Sequence, residues 1–236
     1  MERHFDHQLD KLKTRLIKMS SLVDEQVEFA IRSIDEGNTE LAKLVIERDR
    51  KVDKYDIKVD KICMKLFALN QPVAMDLRLI MSALTINNNL ERIGDLAVDI
   101  AREAEILKEK PVFITELQYK ETTDVTREMV RLSIDSFIDN DANLAKKVLE
   151  SDKTLDNLVG INNAKLIEVM KRAPGNIDAA ISLYRTLLAL ERLGDHSTNI
   201  AENVYFIVEA QMIKHRYEDL ITKADSENDE EEKLSD

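Results

Sequence analysis

The sequence predicts an all-α protein built as two tandem three-helix bundles. Three observations predict it. The stretch LERIGDLAVDIA at 90–101 returns as LERLGDHSTNIA at 190–201, with seven of twelve positions identical and Ile93/Leu193 and Asp99/Asn199 near-equivalent. An echo of that quality marks a unit built twice. Glycine and proline together number only eight (five and three) in 236 residues, while Leu, Ile, Lys, Glu and Asp abound, the composition of long helices with few turns. Apolar residues also recur at spacings of three and four along most of the chain.

The first helix is expected from near His4 to Asp35, with Leu9, Leu12, Leu16, Met19, Val23 and Val27 along one face. Gly37-Asn38 stops it, and Asn38 or Thr39 can cap a second helix reaching about Leu69, before the break at Gln71-Pro72. A third helix takes 73 to about 109. Lys110-Pro111 is the linker between halves. The second half repeats the plan, with helices near 115–138, from Asp141 to Lys171, and from about Asn176 to Lys214. At an offset of 103, Leu41, Ala42, Lys43 and Val45 meet Leu144, Ala145, Lys146 and Val148. All three prolines fall in connections, as helix sterics require. The expected units are 1–110, 115–215 and an acidic, disordered tail at 216–236, of which 225–236 carries seven acids and one lysine.

On an α-helix, residues four apart are offset by only roughly 40°. Glu91, Asp95 and Asp99 therefore share one stripe, and Glu191, Asp195 and Asn199 share its copy. Like charges at that spacing destabilise a helix by roughly 0.2–0.5 kcal/mol per pair, so a stripe built twice calls for a compensating cation. The plainer reading is a solvated face, with Arg92 and Arg192 each pairing with the Asp three residues on. Against it, no Lys or Arg stands four residues after any of these acids. Gly94 and Gly194 sit mid-helix at a cost of about 1 kcal/mol each relative to Ala, which implies close approach of a neighbouring helix. In the second helix of each half, Asp49 and Asp53, and at the same offset Asp152 and Asp156, border the apolar stripe and can lean towards the adjacent helix. Asp56 and Asp60 lie on the same side but have Val159 and Asn163, not acids, as counterparts in the other copy and are read as surface residues first.

Both copies of LER(I/L)GD, the paired D-x-x-x-D segments and QPVAMDLRLI together resemble the PhoU family, over nearly all of the chain up to about residue 215. The resemblance implies multinuclear metal clusters on the bundle surfaces. Asp49, Asp53, Glu91, Asp95 and Asp99 would hold metal in one half, and Asp152, Asp156, Glu191, Asp195 and Asn199 in the other, with Asn199 leaving the second site one charge weaker. It also implies negative regulation of phosphate uptake and signalling, with a phosphate ABC importer's ATPase subunit and a membrane sensor histidine kinase as partners, and a homodimer.

The residue types add constraints of their own. Oxygen donors suit Mg²⁺, Ca²⁺, Mn²⁺ or ferric iron better than zinc, which recruits His or Cys. His196 has Leu96 as its counterpart and is read first as a surface or packing residue. Cys63 stands alone, between Ile62 and Met64, and is expected to be a buried structural thiol that forms no disulfide. A net charge of −12 argues against nucleic acid as a partner. The absence of an apolar leader or spanning run makes a cytoplasmic location the expectation. No enzyme is expected. The enzymatic rival, a carboxylate-bridged di-metal oxidase, needs Glu three residues before a His, and none of His4, His7, His196 and His215 has one. A metal-free helical adaptor is the other alternative.

Overall fold

In a computed structural model that describes residues 2–213, six long helices account for the fold, with no strand among the described residues. They are α1 (Glu2–Asp35), α2 (Thr39–Leu69), α3 (Ala74–Leu107), α4 (Tyr119–Asp139), α5 (Ala142–Arg172) and α6 (Ile177–Glu209). The tail at 216–236 and the expected end of the sixth helix at Lys214 lie outside the described residues.

The duplication extends to the turns. Gly37 and Asn140, 103 positions apart, both take positive φ (62° and 52°) and end α1 and α4. The next residues, Asn38 and Asp141, then cap α2 and α5. Asn38 Oδ1 accepts from the Glu40 and Leu41 amides at 3.1 and 3.3 Å, and Asp141 Oδ1 from those of Asn143 and Leu144 at 2.7 and 3.2 Å. Their own amides reach back to Ser33 O and Ser136 O at 2.8 and 2.9 Å, closing the same backbone loop twice.

Two expected boundaries move. α4 begins at Tyr119, not near 115, because Val112–Glu116 forms a 3-10 turn that buries Phe113 and Ile114. The turn is anchored on α5. Asn162 Oδ1 accepts from the Gln118 amide at 2.7 Å, Lys165 Nζ donates to Glu116 O at 3.0 Å, and Arg172 grips the Glu116 carboxylate at 2.7 and 2.9 Å. α6 similarly stops at Glu209, with Ala210 in the left-handed region.

α1, α2 and α3 pack together, as do α4, α5 and α6, and the two bundles join chiefly through α3 against α6. These two helices run antiparallel, since Asn89 meets His196 while Glu103 meets Arg185. The repeated motif therefore sits at the middle of the junction. α1 and α4 meet beside it, where Arg127 bridges Glu28 and Asp124. The buried side chains of both halves form one continuous core, from Leu12 and Leu16 to Leu187 and Leu190. α3 is consequently buried beyond the single apolar stripe expected of it, with Asn89, Leu96 and Val98 also enclosed. Cys63 is buried and free, and burial pushes its thiol up to about 12.

Candidate metal centres

On α2, Val45, Val52 and Val59 are fully buried and turn one face to the core. That places Asp49 and Asp53 on the flank facing α3. Asp49 Oδ1 lies 3.5 Å from where a Cβ on Gly94 would stand, an ordinary contact that sets the carboxylate close beside α3. Burial, then the negative charges of Asp53 and Asp95, raise the Asp49 pKa, while Gln26 and Arg102 oppose the rise. On α3, burial and then Asp95 raise the Glu91 pKa, with Asp56 and Asp53 adding to it and Arg92 opposing. Glu91 Oε2 is buried and accepts no hydrogen bond, although Arg92 Nε lies 3.5 Å away. Asp49, Asp53, Glu91 and Asp95 thus feel one another across the α2–α3 seam. Arg92 also holds Asp95 at 3.2 Å.

Asp99 is placed differently. It is exposed, paired with Arg102 at 3.1 Å, and lines a groove with Arg185 and Arg192 of α6. Its counterpart Asn199 lines a matching groove beside Met81 and Thr85 of α3.

The second half repeats the seam with stronger coupling. Asp152 is pushed up to about 6 by burial, then by Asp156, Asp195 and Glu191. Burial and Asp156 likewise raise Glu191 and Asp195, each relieved in part by Arg192, and Asp195 also by His196. His196 is a packing residue. Its Nδ1 lies 2.8 Å from Asn89 Oδ1, and Asn89 Nδ2 donates to Thr85 O at 2.8 Å, which fixes the amide and makes the imidazole nitrogen the donor.

Asp56 and Asp60 are more than surface residues. Buried Asn87 donates through Nδ2 to Asp56 Oδ1 at 2.7 Å and to Asp60 Oδ1 at 3.2 Å. The sequence carried a signal for this, because Asn87 stands four residues before Glu91 and extends the α3 stripe by one turn. Leu187 replaces it in α6, so the extension exists in one half only.

Do these residues fit a cation? The donors are all oxygens, they repel one another across each seam, and Glu91 presents a buried oxygen without a hydrogen bond. Chemically they suit a hard ion. Among the described residues, however, no three His, Cys, Asp or Glu side chains are already arranged to hold one. In the first seam Arg92 lies against Glu91 and Asp95, so an ion there would have to displace it and draw the carboxylates round by side-chain rotation.

Comparison with known proteins agrees with the duplication. The PhoU domain model matches residues 16–104 and again 120–204. The chain is 34% identical over 216 residues to the phosphate-specific transport system accessory protein PhoU homolog of Pseudomonas putida, covering 91% of this chain and 84% of that one. It is 36% identical over 210 residues to the homolog of the same name from Aquifex aeolicus, covering 89% and 95%. The crystal structure of PhoU from Pseudomonas aeruginosa superposes with a TM-score of 0.84 at 33% identity, over 88% of this chain and all 100% of that chain.

Proposed function

The chain belongs to the PhoU family, and on that footing we propose that this accessory protein of phosphate transport restrains phosphate uptake and phosphate-starvation signalling through protein contact. Its partners in this reading are the ATPase subunit of a phosphate ABC importer and a sensor histidine kinase. The observation that carries the reading is the acid-lined seam found twice, at α2–α3 and α5–α6, on a scaffold shared with transport accessory proteins.

In each bundle, taken as 1–110 and 115–215, the seam would hold metal. Asp49, Asp53, Glu91 and Asp95 serve the first, with Asp99 at its edge. Asp152, Asp156, Glu191 and Asp195 serve the second, with Asn199 in the same place. A bound ion would supply positive charge that cancels the carboxylate repulsion and holds the helix pair as a docking surface. The chain's own part is to present oxygens: Asp49 lies close beside Gly94 of α3, and Asn87 steadies Asp56 and Asp60 beside Glu91. Mg²⁺, Ca²⁺, Mn²⁺ or ferric iron suits these donors, and no catalytic step is assigned. Among the described residues no helix is long and apolar enough to cross a membrane. Action from the cytoplasm, as a homodimer, is part of the proposal.

Capture from phosphate-replete and phosphate-starved cells with this protein as bait tests it. Recovery of the ATPase subunit and the kinase, stronger under replete conditions, is expected; recovery of neither contradicts it. One observation favours the metal-free adaptor instead: Arg92 and Arg102 already pair with Asp95 and Asp99. Under that reading, elemental analysis finds no metal while partner capture persists.

A further inference from the structure

α2 carries opposite charges on its two flanks. Its aspartates face α3, whereas Lys51, Lys54, Lys58, Lys61 and Lys65 follow one another at spacings of three and four along the other flank. Lys51, Lys54 and Lys58 meet Lys18 and Ser21 of α1 around Tyr55, lining a groove of about 500 Å³. Lys58 Nζ lies 5.2 Å from the Tyr55 ring centre, and Arg15 approaches the same ring at 6.0 Å. The acid in the lining, Glu25, is taken by Arg48 at 2.6 Å. Among the described residues no ion pair engages Lys18, Lys51, Lys54 or Lys58.

The duplication supplies a control. At the same offset, α5 has Thr154, Asn157, Ile161, Ala164 and Glu168 where α2 has its five lysines. A bundle of this fold forms without the stripe, so packing does not demand it. Crowding like charges on one helix flank is unfavourable unless an anion covers them.

The chain carries an anion of matching form. Residues 225–236 hold seven acids against one lysine, with Asp229 to Glu232 consecutive. This segment also lies outside both repeats, the second of which ends at 204. The described chain ends against α3, the helix next to α2. After the left-handed cap at Ala210, Ile213 is buried beside Met81 and Ser82 of α3. That part of α3 runs along the C-terminal half of α2, since Asn87 reaches Asp56 and Asp60, and the same half carries Lys58, Lys61 and Lys65. The stretch from Ile213 to Asp229 can span up to roughly 50 Å, against about 10–12 Å for each helix diameter it must pass. We propose that the acidic segment 225–236 docks in the lysine groove between α1 and α2 of the same molecule, covering a basic surface on an otherwise acidic protein.

Carbodiimide crosslinking of the full chain, with isotopically light and heavy protein mixed, tests this. Crosslinks from Lys51, Lys54 or Lys58 to 225–232 are expected within single molecules. They fall by roughly fivefold or more when salt is raised from about 50 to about 500 mM. K51E/K54E/K58E abolishes them, and combining it with D229K/E230K/E231K/E232K restores links between the same two segments. All seven positions are charged, so helicity by circular dichroism is followed alongside. Three outcomes overturn the proposal: links spread over lysines of both halves, light-to-heavy links between molecules, or a doubly reversed chain in which links between the two segments do not return.

Discussion

Asp152 concentrates the physics of the seams in one side chain. Its pKa rises from 3.8 to about 6, and those of Asp49, Glu91, Glu191 and Asp195 rise too, because each is partly desolvated among other carboxylates. Between these values the native metal-free protein holds protons that the unfolded chain has released. Stability from Asp152 is therefore present at acid pH and is lost as pH rises through about 6, and the other four act in the same direction. His196, lowered by burial, acts in the opposite sense and loses its contribution as pH falls. Asp152 sets the scale, so denaturant titrations of metal-free H196N should give about 1 kcal/mol more stability at pH 5 than at pH 7, discounted for solvent screening, and wild type should give less. Saturating metal should remove or reverse that difference. The glycines give a second prediction. A Cβ on Gly194 would collide with Leu155 Cδ2 and stand 3.4 Å from Met129 Cε, whereas on Gly94 the nearest atoms are at 3.4–3.6 Å. The close approach read from both glycines thus applies fully at one. G194A should cost about 1 kcal/mol net, overpacking of 1–3 exceeding a helix-propensity gain near 1, while G94A should be neutral or slightly stabilising by thermal melt.

Among the elements, α3 and α6 matter most, because the repeated motif lies at the centre of their antiparallel contact. Asn89 joins them through His196 while tied to Thr85 O, and it is 6% exposed. N89A should therefore cost about 1 kcal/mol, removing a hydrogen bond from a part-buried contact, and denaturant midpoints measure it. Helix identity, the stop at Gly37 and the cap at Asn38 were legible in the sequence because they act within a few residues of themselves, and Asp141, read as the first residue of its helix, caps it instead. The start of α4 was not legible. Glu116 and Gln118 are held by Arg172, Lys165 and Asn162, forty or more residues away, and no local pattern announces that. The opposed acids at 49/53 and 91/95 could be read from spacing. The exposure of Asp99 towards α6, and the capture of Asp56 and Asp60 by Asn87, depend on how three helices meet.

At the scale of the whole molecule, two copies of one bundle share a core that runs through α3 and α6 without a break. Calorimetry should accordingly give one unfolding transition, and two well-separated transitions would show that the halves are energetically independent. The duplicated seams would make the pair a double cation holder whose occupancy sets the surface offered to partners. Native mass spectrometry of the full chain, titrated with Mg²⁺, Ca²⁺, Mn²⁺ or ferric iron, tests that claim most directly. The account predicts metal bound to both halves, with D53N/D95N removing the ions of the first and D156N/D195N those of the second. Wild-type protein that takes up none of these ions, or a stoichiometry unchanged in both variants, would contradict it.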